Sequence, residues 1–437
     1  MFLHERTRIN LCRLLFVGLC LAPTLAALAA ALWLRQPAHR RAVEQDIALA
    51  LGVDVSTSRV SYPLPGVMRL VGLELSDPRT RRVVASANRV DAQRADSGWL
   101  VALDKLELHS DVAASLTEWV EDALRRPPTG AVRLVASEAI WRLDDHPAGD
   151  EPVALLRLQA GFDAAADGAS QAYLTFALAD QVGADSVRAR VLERRDPLAP
   201  RYDVQFHTGE ARVPCRWLAP LGVEVEWLGH DATFRGSMFA SQLGGEWQTQ
   251  LFGRLTQVDL QAVMASCSPH VLTGLAEIEI PRPDPARGVS SLVLRGRRIE
   301  RASATVIAGP GLVGRSLLNA ARSLQLPSTG SPIAVEEQAP QAYDQLAFDV
   351  ALGARGVQLR GRSTTNGAIM IDDKGVLIGQ SRGRQPIGQL VEMLTPATRS
   401  VMPGTSEAQR LARHLPLPAA DERMVTRPAD TRPTTQR

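Results

Sequence analysis

The sequence predicts a mainly β protein that one N-terminal helix attaches to a membrane. Three features indicate this fold class: an uncharged apolar run near the start, a two-residue hydrophobic period through most of the rest, and helical segments that only rarely interrupt the strands. Of the 437 residues, 45% are hydrophobic and 22% are charged. The part after the apolar run is therefore large enough to bury a core, in one elongated domain or in two ordinary ones.

The apolar run begins at Leu14, ends at Leu34 and contains no charged residue. A helix over these 21 residues is about as long as a hydrocarbon core of roughly 30 Å is thick. We therefore expect residues 1–36 to form a cytoplasmic start and a transmembrane anchor. A cleaved secretory signal is the alternative, although its apolar core is usually only about 7 to 15 residues long. In both interpretations, the rest of the chain is exported across the membrane.

A short amphipathic helix is predicted directly after the anchor, over residues 37–52. Val43, Ile47 and Leu51 recur at helical spacing and form one apolar face. Gly52 then provides the residue that most readily adopts the left-handed conformation at a helix end.

From residue 53 onward the hydrophobic period is two, which is typical of half-buried strands. Residues 67–76 illustrate this pattern, because alternate positions form one largely apolar face: Val67, Arg69, Val71, Leu73 and Leu75. Similar segments recur to about residue 380 and give about fifteen strands or more, a number that suits a long coiled or double-layered antiparallel sheet.

Three helices are predicted within the body, at residues 116–124, 312–324 and 387–394, and we expect them to cap the ends of the sheet. The body is divided into an N-terminal part, 53–265, and a C-terminal part, 266–400. Residues 401–437 are predicted to be mostly disordered, because the chain after Pro416 is polar and rich in Pro, Thr, Asp and Arg.

The charge and the polar residues exclude several functional classes. The net charge is only +2 and is spread along the chain, so we expect no nucleic-acid partner. Histidine and cysteine pairs at metal-binding spacing do not occur in the sequence, and Cys215 and Cys267 are predicted to be isolated thiols. Sequence motifs of hydrolases, metalloproteases and P-loop enzymes are also missing. We therefore predict that the protein is not an enzyme and that it binds neither a metal ion nor a cofactor.

Two segments resemble a known family. Residues 50–92 read ALGVDVSTSRVSYPLPGVMRLVGLELSDPRTRRVVASANRVDA, and with the two preceding helices they resemble the start of AsmA-like envelope proteins. Residues 245–264, GEWQTQLFGRLTQVDLQAVM, are similar to the strand and Val-Asp-Leu pattern of the family's carboxy-terminal region.

The resemblance implies a single-pass inner-membrane protein whose body is an elongated, twisted antiparallel β-sheet trough in the periplasm. Its expected partners are membrane lipids, phospholipids or lipid-like cargo, together with envelope proteins. The candidate apolar lining of the trough is Val67, Val71, Leu73, Leu75, Leu106 and Leu108. The alternative is that these apolar faces pack only against a second layer of the protein itself, which hydrophobic periodicity does not distinguish from a lipid-filled trough.

A glycine motif supports a different class of protein. Gly309, Gly311 and Gly314 form G-x-G-x-x-G between a predicted strand and a predicted helix, with Glu336 and Glu337 further on. This context is the one that a dinucleotide-binding enzyme requires. Pro310 in the turn and the lack of alternating strands and helices elsewhere argue against it, and a glycine-rich turn is the other interpretation.

Aromatic residues in the middle of the chain leave a carbohydrate-binding surface open as a further alternative to core packing. The residues concerned are Trp217, Trp227, Trp247, Phe234, Phe239 and Phe252.

Overall fold

The structure is a computed structural model that describes residues 5–394 except 96–97, 110–123, 125–130, 143–151, 165–169, 182, 196–199, 222–224, 244–245, 285–290, 297, 322–325, 327–338 and 382. The described residues are mainly β, with one apolar helix at the N-terminus, which confirms the predicted fold class. The chain divides into two compact units, Met1–Val213 with Arg235–Gly245, and Pro214–Phe234 with Glu246–Arg437. The predicted tail, 401–437, lies outside the described residues.

The N-terminal segment is helical throughout and consists of α1 (Glu5–Phe16), a π-helical stretch (Val17–Leu21) and α2 (Ala22–Leu34). The π-helical stretch ends just before Pro23, and the Thr24 hydroxyl donates a hydrogen bond to the Cys20 carbonyl at 2.6 Å. Such local adjustments satisfy backbone groups around a proline in an apolar helix. The part Ile9–Leu34 includes the predicted anchor and is long and apolar enough to cross a membrane.

Helix α3 (Pro37–Leu51) follows at once and confirms the predicted amphipathic helix. Gly52 ends it in the left-handed conformation, with φ at 69°. Val43 and Ile47 of its apolar face pack against the first strands of the sheet.

The strands of the first unit are β1 (Asp54–Leu64), β2 (Val67–Ser76), β3 (Val83–Ala95), β4 (Gly98–His109), β5 (Ala131–Arg142), β6 (Val153–Ala164), β7 (Ser170–Leu178), β8 (Val187–Arg195) and β9 (Pro200–His207), followed after β10 (Val213–Pro214) by most of β11 (Thr233–Leu243). Strands β1 to β9 pair in sequence order, and β11 pairs with β9. Only the pair β4 and β5 among these is parallel, an arrangement that requires a crossover connection. Leu124 is the only described residue of that connection and is 1% exposed. The predicted helix 116–124 otherwise lies outside the described residues.

A transverse crease crosses the first six strands of this sheet. The regular pairing skips one position at this level in the pairs β1–β2, β2–β3, β3–β4 and β5–β6, and two positions in the pair β4–β5. The backbone φ is positive at three of the skipped positions: Gly72 (61°), Lys105 (52°) and Arg157 (52°). The Val71 carbonyl beside the crease accepts hydrogen bonds from two hydroxyls of β1, those of Thr57 at 2.9 Å and Ser58 at 2.6 Å.

The crease reverses which residues of a strand face the core. Leu70 and Leu73 of β2 are three residues apart, yet both belong to one buried cluster, which also contains Ala87 and Val90 of β3. In an uninterrupted strand, residues three apart point to opposite faces. The apolar face of β2 therefore comprises even-numbered residues before Gly72 and odd-numbered residues after it.

The second unit contains the strands β12 (Glu246–Asp259), β13 (Leu275–Ile280), β14 (Leu292–Arg295), β15 (Arg298–Ala308), β16 (Gly311–Val313), β17 (Gln341–Tyr343), β18 (Gln345–Gly353), β19 (Gly356–Gly361), β20 (Met370–Asp372) and β21 (Gly375–Ile378). All described pairs among them are antiparallel. Its helices are α4 (Leu260–Cys267), α5 (Arg315–Ala321) and α6 (Ile387–Leu394). The predicted helix 387–394 is confirmed, whereas α5 begins later than residue 312 because residues 311–313 form a strand.

Candidate functional site

The candidate site is a row of apolar side chains that crosses the first-unit sheet from β2 to β11. Strand pairing places each residue of this row directly opposite the next: Met68, Ala92, Val101, Leu134, Ala160, Leu174, Ala189, Phe206 and Met238. We call this set the apolar row. It contains one residue from each of nine strands and lies between the crease and the tips of the β1–β2 and β3–β4 hairpins.

The apolar row is only partly covered. Six of its members are half-buried, namely Met68, Val101, Leu134, Ala160, Leu174 and Ala189, whereas Ala92, Phe206 and Met238 are buried. Next to the row, Leu103 is also half-buried, and Leu158 is buried. The middle strands therefore present a strip of apolar side chains that are partly accessible to solvent, next to side chains that are fully buried.

Helix α3 covers the beginning of this face. Val43 and Ile47 pack against the cluster of Leu70, Leu73 and Val90 on β2 and β3. The part of the apolar face around Leu70 and Leu73 on β2 and Val90 on β3 is thus covered by the protein's own helix, as the core-packing alternative predicts.

The six residues of the predicted lining lie on two faces of the sheet. Leu73 and Leu75 belong to the apolar face beyond the crease, and strand pairing aligns Leu106 and Leu108 with them across β3. Val67 and Val71 precede Gly72, so they lie on the opposite face from Met68 and Leu70.

The expectation of one continuous alternation through residues 67–76 is therefore wrong in the structure. Its physical reason is the left-handed conformation of Gly72, which reverses the side-chain direction within the strand. The predicted lining contains none of the nine residues of the apolar row, Met68 on β2 and Val101 on β4 included. A glycine inside a strand pattern is the signal that marks such an interruption.

The opposite face of the sheet carries charged residues beside apolar ones such as Val67 and Val71. Arg69 on β2 binds Asp91 on β3 through two hydrogen bonds, of 2.6 and 3.0 Å, and this pairing lowers the pKa of the Asp91 carboxyl. At the crease, a pocket of about 400 Å³ is lined by six polar residues, Arg89, Asp91, Asp104, Ser137, Arg157 and Gln159, and by five apolar ones, Ala102, Leu103, Val135, Ala136 and Leu158. The charged residues therefore distinguish this face from the apolar row.

The glycine motif lies in an antiparallel context. Gly311 belongs to β16, which pairs antiparallel with β17, and the following helix α5 has only seven residues. A side chain at Gly311 would collide with the Thr273 carbonyl oxygen, and one at Gly314 would lie 3.2 Å from the Val271 Cβ atom. Close packing thus explains these two glycines. A dinucleotide site at Gly309, Gly311 and Gly314 requires a parallel strand before the helix, whereas the described strand here pairs antiparallel. Glu336 and Glu337 lie outside the described residues.

The aromatic residues in the middle of the chain are not uniformly exposed. Trp217 and Phe234 are buried, Trp227 and Phe239 are exposed, and the Arg282 guanidinium lies 5.1 Å from the centre of the Phe252 ring. Burial of the first two excludes them from a carbohydrate-stacking surface.

Within the described ranges, no group of three His, Cys, Asp or Glu side chains is placed to hold a metal ion. Cys215 and Cys267 are both free thiols. Burial raises the pKa of Cys215 to about 12 and also raises the pKa of Cys267. These thiols are therefore poor nucleophiles at neutral pH.

Comparison with known proteins identifies no relative, because the chain matches no protein family, no curated protein and no solved structure.

Proposed function

We propose that this chain is a membrane-anchored protein of the AsmA-like type, with its body in the periplasm, that binds or conducts lipids during envelope biogenesis. The apolar row carries this proposal, because it begins at the strands beside the anchor and crosses nine strands without a polar residue. At a strand spacing of about 4.8 Å its length is roughly 40 Å. That length accommodates the acyl chains of a phospholipid.

The chemistry of the row suits a mobile lipid. Contacts between acyl chains and side chains such as Leu134 and Leu174 are dispersive and non-directional, so a lipid gains apolar burial without being held in one register. A charged headgroup remains in water along the edge of the row. Movement along it then needs no covalent chemistry, which agrees with the lack of catalytic motifs in the sequence.

A pair of neighbouring substitutions on β4 tests the proposal. Leu103 lies on the apolar face next to the row, whereas Ala102 is exposed on the other face. We expect Leu103→Asn to weaken the binding of a phospholipid with a fluorescent acyl chain to the purified full chain, and Ala102→Asn to leave it unchanged. Equal binding by both variants and the wild type would exclude the apolar face as the lipid site, provided that both keep the wild-type circular dichroism spectrum.

A second candidate function is that of an anchored structural or interaction protein that binds envelope partners and not lipid. Deep burial of part of the apolar face favours it, since Leu155 is 2% exposed and Val187 is fully buried. For this function, we expect cross-linking in the intact envelope to capture a protein partner with the wild type and with Leu103→Asn alike, and no lipid to accompany the purified chain.

A further inference from the structure

We infer that the end of the first-unit sheet beside the anchor lies in the headgroup region of the membrane and prefers anionic phospholipids. This end consists of the tips of the β1–β2 and β3–β4 hairpins. The inference rests on the proposed membrane anchoring and adds a second, peripheral contact between the protein and the bilayer.

The anchor and the β1–β2 hairpin are held together by direct contacts. Trp33 lies in the last turn of α2, and its ring centre is 4.6 Å from that of His39 at the start of α3. The His39 Nε2 atom lies 2.9 Å from the Tyr62 hydroxyl, near the end of β1. The end of the membrane helix and the tip of the hairpin are therefore at the same level.

Helix α3 is also fixed along β1 by polar contacts. The Glu44 carboxylate accepts a hydrogen bond from the Thr57 amide at 3.0 Å, and the Arg40 guanidinium donates to the Ser58 carbonyl at 3.3 Å. These contacts make α3 run antiparallel to β1. The orientation of the sheet relative to the end of α2 is thus determined by several bonds and not by Tyr62 alone.

The tip of the β3–β4 hairpin lies beside that of the β1–β2 hairpin. The Arg94 amide donates to the Gly66 carbonyl at 3.4 Å, and Trp99 lies opposite Arg94 in the strand pairing. Trp99 and Leu64 are 43% and 64% exposed. Both hairpins therefore carry large apolar side chains at the end of the sheet that faces the anchor.

The composition of this end is that of a membrane interface. Tryptophan and tyrosine are enriched at the level of the headgroups, where their rings are amphipathic, and Trp33, Tyr62 and Trp99 provide three such rings. Three exposed arginines lie close to these rings in the chain or in the strand pairing: Arg35 directly follows α2, Arg41 belongs to α3, and Arg94 on β3 pairs with Trp99. Cationic side chains at a membrane surface attract anionic headgroups, which gives the stated lipid preference.

This placement connects the bilayer to the candidate lipid site. Trp99 pairs with Val132, and the neighbouring Leu134 belongs to the apolar row. An acyl chain that leaves the bilayer at Trp99 thus reaches the row within a few residues.

Fluorescence quenching in vesicles tests the inference. The full chain is reconstituted into phosphatidylcholine vesicles that contain phosphatidylglycerol and a phosphatidylcholine brominated near the top of its acyl chains. Bromine quenches only tryptophans at the membrane. We expect Trp99→Phe to lower the quenched fraction of the fluorescence. Trp141→Phe is the control and should not lower it, because Trp141 lies nine positions further along β5 than Val132, roughly 30 Å from the tips.

An unchanged quenched fraction in Trp99→Phe would overturn the inference. An equal decrease in Trp141→Phe would also overturn it, because it would mean that the sheet lies flat on the bilayer. Replacing phosphatidylglycerol by phosphatidylcholine should reduce the part of the quenching that depends on Trp99, and no reduction would overturn the anionic preference. An alkaline wash distinguishes the proposed membrane anchor from the proposed contact of the hairpin tips. Loss of the protein from the vesicles would refute the anchor. Protein that is retained but shows no quenching of Trp99 would refute only the contact of the tips.

Discussion

Gly72 shows how one residue determines which side chains of a strand face the core. Its φ of 61° is easily reached by glycine and costs other residues about 1–2 kcal/mol. A side chain there would also lie 3.0 Å from the Ser58 hydroxyl oxygen. Lys105 and Arg157 adopt similar φ values at the same crease, so the sheet maintains this conformation even without glycine.

We predict that Gly72→Ala destabilises the protein by about 1–2 kcal/mol, because the methyl group disfavours the left-handed conformation. Chemical denaturation in detergent, followed by circular dichroism, measures the change. Gly309→Ala is the control, since that glycine has no positive φ and open space around its Cβ position. Equal midpoints for Gly72→Ala and the wild type would refute the structural role of Gly72.

Cys215 provides a second prediction at this scale. Because its thiol is buried and its pKa is raised to about 12, we expect iodoacetamide at pH 8 to modify Cys215 only after unfolding. Mass spectrometry of peptides from native and urea-treated protein measures the modification. Rapid modification in the native protein would show that Cys215 is accessible.

Among the elements, those with a strong local signal could be predicted from the sequence. Helix α3 combines an apolar face at helical spacing with a glycine at its end, and both features act within the helix itself. Strand β2 was predicted as a strand, but the direction of its side chains before Gly72 was not. The side-chain direction depends on a crease that six strands share, and the hydrophobic period of a single strand does not predict where such a crease lies.

The glycine motif shows the same limit. A strand, three glycines and a helix occur in the predicted order around Gly311, yet the short strand there pairs antiparallel. The meaning of the motif depends on the partner of that strand, Gln341–Tyr343, which is distant in sequence.

The ion pair between β2 and β3 gives a pH-dependent prediction. Arg69 lowers the pKa of Asp91 in the folded protein, so the pair stabilises the fold above the ordinary carboxyl pKa of about 3.9. This stabilisation is lost as the pH falls through the lowered pKa of the folded state. We therefore expect Asp91→Asn to lower the denaturation midpoint at pH 7 and to have a smaller effect as the pH approaches 3.

Asp104→Asn is the matched control for this pair, because Asp104 lies on the same face and, among the described residues, has no ion pair. Its effect on the midpoint should be small at both pH values. A pH-independent effect of Asp91→Asn would contradict a role of its charge.

At the scale of the whole molecule, the proposed function depends on the combination of a membrane-spanning helix and an apolar face. An N-terminal helix long and apolar enough to span a membrane could be predicted from length and hydropathy alone. The apolar row could not, because it depends on the register of nine strands. Its half-buried side chains distinguish it from the closed part of the same face around Val187.

Lipid binding by the apolar face is tested most directly by mass spectrometry of the lipids that remain on the full chain after gentle purification. Lipids that surround the N-terminal helix and exchange with detergent are removed first. We expect phospholipid to stay bound to the wild type and to Ala102→Asn, and to be largely lost from Leu103→Asn. A wild-type protein that carries no lipid beyond the layer around its anchor would contradict the proposed function.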